Sequence, residues 1–373
     1  MIHPYDDLPL HQSSAPLLHP TSDSAGLYDR YFFNGFDRDG QLFFAVALGV
    51  YPNRQVMDAS FSVVVDGVQH NCRSSRRCST DRTVTTVGSI DVQVVEPMLQ
   101  HQITVNDHHG ISADLTMRVV SAVIEEPTFV RRVEGRVVMD YTRITQFVEW
   151  SGWIDLDGER IELGDLGVVQ GCRDRSWGIR GGSRGLPGPA TPPQFFWTWA
   201  PTLFDDMCTH LAVNDDAEGR AWHKSAAVTG RFAVGSRTVD EVTDAAQVHR
   251  PESVSTEIVW QSGTRWAGSM TATIATADGG EFIAAYKPVQ RFQMSGLGYL
   301  HPHWGHGDWH GELDETRDEI VFADVNPLDP TMVHVQQLCR VTSGDMTGWG
   351  VLEQLVLGPH APSGFTGVLD GAS

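Results

Sequence analysis

A single carboxylate stands among arginines in the segment Gly171–Arg180, whose sequence is GCRDRSWGIR. A carboxyl group that is kept neutral can act as a general acid, and Trp177 would offer its aromatic face to a cation formed nearby. The flanking guanidinium groups would lower the pKa of Asp174 and so oppose that role. The residue types alone favour the other interpretation, in which Asp174 is a structural ion-pair partner of one of the three arginines.

Four of the 16 histidines fall within ten residues: His301, His303, His306 and His310. In an extended segment His301 and His303 would share one face, as in some His-x-His metal sites, and His306 or Asp308 could complete a ligand set. No His-Glu-x-x-His or cysteine pattern accompanies them. We therefore predict no metal, and we expect these histidines to hydrogen-bond to the backbone of a glycine- and proline-rich loop.

Aromatic residues accompany both segments, and a run of them forms the strand-like stretch Phe195–Trp199. The side chains predicted to line a hydrophobic binding site are Trp177, Trp197, Trp199, Tyr299, Trp304 and Trp309. A carboxylate, Glu353, lies in the apolar segment 349–357, where burial would be costly unless it is paired. We expect Glu353 to face solvent or to meet an arginine.

The elements that must position these residues are strands. Short runs rich in Val, Ile, Thr and aromatic residues recur about every ten residues, and few windows have the spacing of an amphipathic helix. Dipeptides that suit tight hairpin turns separate several of the runs. These dipeptides are Asp39-Gly40, Asp66-Gly67, Asp157-Gly158 and Asp278-Gly279. The pattern predicts an all-β, antiparallel fold.

A chain of 373 residues is long enough for two domains. Residues 1–26 have no periodicity and predict an extended N-terminal arm. The glycine- and proline-rich stretch Gly181–Pro193 is the best candidate for a connection between domains. We therefore predict two β domains, one at 27–190 and one at 191–373.

The composition of the chain narrows the range of its expected binding partners and locations. With 27 basic and 47 acidic residues the formal net charge is −20, which disfavours nucleic acid as a partner. No run approaches the 20 or so apolar residues of a membrane helix, and the start lacks the pattern of a secretory signal, so we expect a cytoplasmic protein without a membrane segment. The five cysteines contain no Cys-x-x-Cys pair, which predicts reduced thiols.

The element Asp174-x-x-Trp177-Gly178 resembles the junction of the carotenoid 1,2-hydratase (hydroxyneurosporene synthase) and AttH-like family. It lies after an Asp-Gly hairpin that contains Trp153 and before the aromatic run Phe195–Trp199. The resemblance implies two tandem lipocalin-like antiparallel β units. It also implies a lyase that adds water to an isolated C=C bond of a hydrophobic isoprenoid or polycyclic substrate, without a cofactor.

The same resemblance matches Asp174 to the family's proposed acid and Trp177 to its adjacent aromatic residue. One departure is Arg175, which stands where the carotenoid enzymes tend to have histidine. If Asp174 is structural instead, His301, His303 or His306 is the candidate proton donor.

Two classes of function follow. The first is a cofactor-independent hydratase or dehydratase, or an isomerase or cyclase that uses the same acid. The second is a non-catalytic carrier of a hydrophobic ligand, because the fold does not determine the function. A metal-dependent enzyme that uses the histidine cluster ranks third.

Overall fold

The computed structural model describes residues 7–8, 19–133, 135–180, 193–276 and 280–373. The predicted Asp278-Gly279 turn and nearly all of the predicted connection at 181–193 lie outside these residues. In the described part of the chain, no helix is long and apolar enough to cross a membrane.

Strands make up most of the described chain. In chain order they are β1 (Leu27–Phe36), β2 (Phe43–Tyr51), β3 (Val56–Val65), β4 (Val68–Arg77), β5 (Thr86–Val87), β6 (Ile90–Glu96), β7 (Gln100–His108), β8 (Ile111–Val119), β9 (Ile124–Glu125), β10 (Phe129–Val133), β11 (Arg136–Leu156), β12 (Glu159–Glu162), β13 (Val169–Arg180), β14 (Phe195–Trp199), β15 (Thr202–Leu203), β16 (Met207–Asp215), β17 (Ala221–Gly230), β18 (Val248–His249), β19 (Val254–Trp260), β20 (Ala267–Ala275), β21 (Glu281–Gln293), β22 (Leu313–Val321), β23 (Val335–Ser343) and β24 (Met346–Leu357).

Helical elements are short. The α-helix α1 (Val239–Thr243) begins with a capping box between Thr238 and Glu241. The 3-10 turns are Pro52–Arg54, Leu163–Leu166, Ala245–Gln247, Met294–Leu297, Phe322–Asp324 and Ala361–Ser363.

The strands form two antiparallel sheets, which confirms the predicted all-β, antiparallel fold and is consistent with two tandem lipocalin-like units. The first sheet runs β22-β4-β3-β2-β1-β13-β11-β8-β7-β6-β5, and β9, β10 and β12 also pair with β11. The second runs β18-β17-β16-β14-β24-β23-β21-β20-β19, with β15 paired to β16 and β24.

The described chain divides into two compact units. The first contains the described residues up to 180 together with 232–247 and 296–320, and the second contains the others. The two later segments of the first unit follow the predicted junction in sequence, whereas the predicted domains 27–190 and 191–373 are continuous. The boundary near residue 190 itself stays a prediction, because it falls outside the described residues.

Two predicted hairpins are confirmed in the first unit. Val65 pairs with Val68 across Asp66-Gly67, and Leu156 pairs with Glu159 across Asp157-Gly158. All four turn residues have positive φ, between 51° and 92°. Turns of this handedness match the twist of the flanking strands, and Asp-Gly adopts them at little cost.

Each unit has its own apolar core. In the first, Phe33, Phe44, Phe61 and Trp150 belong to a fully or nearly fully buried cluster on one face of the sheet. The second core includes Leu211, Met270, Tyr286 and Leu352. We call the core-lined face of the first sheet the core face and its opposite the polar face. Because side chains alternate along a strand, each residue's face follows from the register.

The burial of the cysteines leads to a first prediction. Cys72, Cys172, Cys208 and Cys339 are buried, and burial raises the pKa of the Cys72 thiol to about 12. Cys78 is only partly buried. Burial also raises the pKa of Cys78, but only this thiol is partly accessible, so we expect a thiol reagent to label it faster than the other four in the native protein and to label all five in denaturant.

A Cys78→Ser variant is the control, and it should retain no rapidly labelled thiol. Rapid labelling of two or more thiols in the native protein would contradict the burial of the other four.

Candidate functional site

The polar face of the first sheet carries a row of functional side chains. Across β13, β1, β2, β3 and β4, the register aligns Ser176 with Arg30, Gly49, Asp58 and Ser75. Residues that are paired across neighbouring strands point to the same face. Arg30 and Asp58 are therefore on either side of Gly49, and the Tyr51 ring fills the space that a side chain at Gly49 would occupy.

The histidine-rich segment 296–310 packs against this row and belongs to the same unit. The Gly307 N–H donates to Oδ2 of Asp58 at 2.6 Å, and Arg30 Nη1 lies 2.9 Å from His306 Nδ1. Gly307 has φ of +69°, and a Cβ there would lie 2.8 Å from the Tyr51 ring. A larger residue at 307 would push this hydrogen bond out of place.

A small cleft remains between the segment and the strands. Its volume is about 20 Å³, enough for one water-sized group. Its lining includes Asp58, Arg73, Trp304, His306, Asp308 and His310. A polar cleft of this size fits a water molecule or a single hydroxyl group.

Among the titratable groups that line the cleft, Asp58 has the pKa best suited to proton transfer near neutral pH. Burial raises its pKa from 3.8 to about 6, and the charge of Asp308 acts in the same direction. The Arg30 guanidinium and the Gly307 N–H oppose the shift without cancelling it. A carboxyl group with this pKa exchanges protons near neutral pH, as a general acid or base must.

His306 is held by hydrogen bonds on both ring nitrogens. Nε2 lies 2.8 Å from the Leu297 carbonyl oxygen, which can only accept, so Nε2 carries the proton. Nδ1 then accepts from Arg30. The Tyr299 ring packs edge-on against the imidazole at 4.4 Å. Since neither nitrogen is available for proton transfer, His306 orients Arg30 rather than delivering protons.

The other predicted histidines have different surroundings. His301 Nδ1 accepts from the backbone N–H groups of His303 and Trp304, and its Nε2 lies 3.8 Å from Asp318. His303 is exposed. The His310 ring stacks on Trp304 at 4.0 Å. In the described residues, no three His, Cys, Asp or Glu side chains converge to hold a metal ion.

Asp174 lies on the polar face, away from the cleft. Three strand spacings, roughly 14 Å, separate β13 from β3, which carries Asp58. Its sequence neighbours Arg173 and Arg175 point to the core face, on the opposite side of the sheet from Asp174. The charges that act with Asp174 are those of Arg143 and Arg180.

The predicted aromatic residues divide into groups. Trp177 lies on the core face, opposite to Asp174, and packs against the first core. Tyr299 and Trp304 lie at the cleft segment, where Tyr299 sits 4.7 Å from the Arg30 guanidinium. Trp309 is 48% exposed and contacts Arg77.

Trp197 and Trp199 belong to the second unit. The Trp197 indole N–H donates to Glu353 at 2.9 Å, and the Trp199 indole N–H donates to His210 at 3.0 Å. The strand pattern predicted that Glu353 faces solvent or meets an arginine, and this prediction is wrong, because Glu353 is buried. His334 and Gln336 also donate to Glu353, and although burial raises its pKa, these hydrogen bonds hold it below the usual value.

The sequence pattern did not single out Asp58, Arg30 or Arg73. The available signal was a lone acidic residue within the apolar strand Val56–Val65 and a lone arginine in the buried strand Leu27–Phe36. Such residues require partners. The sequence does not reveal that one partner of Asp58, the Gly307 N–H, lies 249 positions away.

Comparisons with solved structures give the fold. A Nitrosomonas europaea protein that carries the provisional name AttH aligns over 88% of this chain and 92% of its own, with a TM-score of 0.53 and 12% identity. Kievitone hydratase from Nectria haematococca aligns over 88% of each chain, with a TM-score of 0.49 and 10% identity. CghA aligns over 90% of this chain and 89% of its own, with a TM-score of 0.44 and 11% identity.

The first of these likenesses supports the AttH-like fold that the Asp174–Gly178 element implied. No curated protein matches the sequence. Residues 2–366 match the family of unknown function DUF8625, and the chain belongs to that family.

Proposed function

We propose that the protein is an acid–base lyase of the hydratase or dehydratase type, with Asp58 as its proton donor. The observation that carries the proposal is a carboxyl group with a pKa of about 6 that lines a cleft with room for one water molecule. Addition or loss of water needs these two components together, an acid and a place for the water.

The reaction can be written for both directions. In dehydration, protonated Asp58 transfers its proton to a substrate hydroxyl, the C–O bond breaks, and water leaves with both bonding electrons. The Asp58 carboxylate then takes a proton from the adjacent carbon, which forms the C=C bond and restores the acid. In hydration, Asp58 protonates the C=C bond, water in the cleft adds to the resulting cation, and the protonated hydroxyl group returns its extra proton to the Asp58 carboxylate. Neither direction changes the oxidation state of the substrate as a whole, so no redox cofactor is required.

The neighbours of Asp58 support both halves of this cycle. The Gly307 N–H occupies Oδ2, so the carboxyl proton resides on the other oxygen. Once the proton has left, the nearby Arg30 guanidinium stabilises the remaining carboxylate. Trp304, fixed by its stacking on His310, provides an aromatic wall for a cationic intermediate.

The volume of the cleft also limits which part of a substrate can enter it. A volume near 20 Å³ takes only the reacting hydroxyl or water, so the carbon skeleton must lie outside it. Arg73 and Asp308 make the lining polar, whereas Trp304 adds an apolar surface. We propose a largely apolar alcohol or alkene, such as an isoprenoid or polycyclic compound. Asp174 remains the second candidate for the acid, on the resemblance alone.

Substitution of Asp58 tests the proposal directly. Asp58→Asn keeps the size of the side chain and cannot donate a carboxyl proton, so we expect turnover to fall by roughly two to four orders of magnitude. Turnover is measured over a panel of isoprenoid and polycyclic compounds, as ¹⁸O incorporation from labelled water into the alkenes and as alkene formation from the alcohols. Because the protonated acid is the active form, kcat/KM of the parent protein should fall as pH rises through about 6.

The matched control is Asp66→Asn, at an exposed turn next to the same strand, where asparagine tolerates the positive φ. It should retain parental turnover. Asp174→Asn separates the two candidate acids, since loss of turnover there with full activity in Asp58→Asn would reject Asp58. Ligand binding without turnover by the parent protein would favour the carrier alternative.

The raised pKa also predicts an effect on stability. With a pKa of about 6 when folded and 3.8 when unfolded, the folded state binds more protons between these values, and stability falls as pH rises through this window. Asp58→Asn removes this penalty, so at pH 8 we expect the variant to unfold with about 1–3 kcal/mol more free energy than the parent. Urea unfolding at pH 8 and pH 4 measures the difference, which should shrink toward zero at pH 4. A variant that is less stable than the parent at pH 8 would show that ionised Asp58 is stabilised by its neighbours.

A further inference from the structure

A second buried acidic group lies on the other face of the first sheet. Asp7 precedes β1 in the chain and belongs to no strand, yet its side chain is completely buried in the first unit. An unpaired buried carboxylate is strongly unfavourable, so its surroundings must stabilise the charge.

The carboxylate of Asp7 meets two hydrogen-bond donors and an imidazole. Arg173 Nη1 donates to Oδ1 at 2.5 Å, His101 Nε2 lies 3.3 Å from the same oxygen, and the Met98 N–H donates to Oδ2 at 2.6 Å. Burial would raise the pKa of Asp7, but Arg173 and His101 hold it well below its usual value. The group is therefore an ionised carboxylate with both oxygens bound.

The backbone next to the carboxylate is bound as well. The Tyr31 hydroxyl donates to the Asp7 carbonyl oxygen at 2.5 Å, and Arg175 Nη2 donates to the Leu8 carbonyl oxygen at 3.1 Å. Residues 7 and 8 thus present a carboxylate and two carbonyl oxygens to donors of the first sheet.

Gln146 also holds the two donors that bind the carboxylate. Gln146 Oε1 accepts from two nitrogens of Arg173, and Gln146 Nε2 donates to the Met98 carbonyl oxygen at 3.1 Å. Met98 has φ of 65°, a left-handed conformation that is unfavourable for a residue with a side chain. Strained backbone of this kind persists where the surrounding structure fixes it, and here it directs an N–H at the carboxylate.

We propose that the core of the first unit contains a carboxylate-binding site, that Asp7 occupies it from within the same chain, and that a small carboxylate can take the place of Asp7. The donors come from β1, β13 and the turn at Met98, with His101 of β7 beside them, whereas the acceptor comes from outside the sheet. Arg173 supplies the charge and binds one oxygen, and the Met98 N–H binds the other. This site is on the face opposite to the Asp58 cleft and does not depend on the proposed reaction.

Removal of the internal carboxylate tests the proposal in the full-length protein. Asp7→Ala leaves the Arg173 guanidinium buried without its anion, so we expect the melting temperature to fall by roughly 6–15 °C. Sodium formate, compared with sodium chloride at equal ionic strength, should restore several degrees in a saturable manner. The parent protein should not respond, because tethered Asp7 competes at a high effective concentration.

The double variant Asp7→Ala with Arg173→Met is the control, and it should show no response to formate. If Asp7→Ala does not fold, refolding from denaturant is carried out with formate or with chloride. Recovery in formate alone would support the site, and failure in both salts would reject it. Equal effects of formate and chloride, or an Asp7→Ala protein as stable as the parent, would also overturn the proposal.

Discussion

A guanidinium group that is removed from water must meet an anion, and this constraint organises the first unit. Arg173 is paired with Asp7, Arg175 with Asp29, and Arg143 with Glu126. All three arginines are buried, and breaking such a pair by removal of one partner leaves an uncompensated charge. The positions of Asp7, Asp29 and Glu126 are therefore determined by the arginines as much as by the backbone.

The alternation of side chains along β13 distributes these charges between the two faces. Arg173 and Arg175 point into the core, while Asp174 and Arg180 point to the polar face. The sequence RDR suggests a local ion pair, but adjacent residues of a strand face opposite sides and seldom meet. Asp174 consequently points away from the two arginines beside it in sequence, and its charge acts with those of Arg143 and Arg180.

Sequence patterns predicted the features that depend on residues close together in the sequence, and they missed those that depend on distant ones. Asp66-Gly67 and Asp157-Gly158 define their hairpins because a turn involves only neighbouring residues, and the strand spacing gives the all-β fold for the same reason. The histidine-rich segment was correctly expected to hydrogen-bond to backbone, as His301 and His306 do. The sequence could not reveal that segment 296–320 belongs to the first unit, because that follows from packing with strands some 250 positions earlier.

Asp58 differs from the fully compensated carboxylates because its arginine lies two strands away. Arg30 Nη1 donates to His306, its guanidinium lies over the Tyr299 ring, and Gly49 of β2 separates it from Asp58. Asp7, by comparison, has Arg173 within 2.5 Å and remains ionised. At Asp58, burial together with the like charge of Asp308 outweighs Arg30 and the Gly307 N–H, and this balance keeps its pKa near 6. Two carboxyl groups of the first unit therefore differ in protonation because Asp7 is in direct contact with its arginine and Asp58 is separated from its own by a strand.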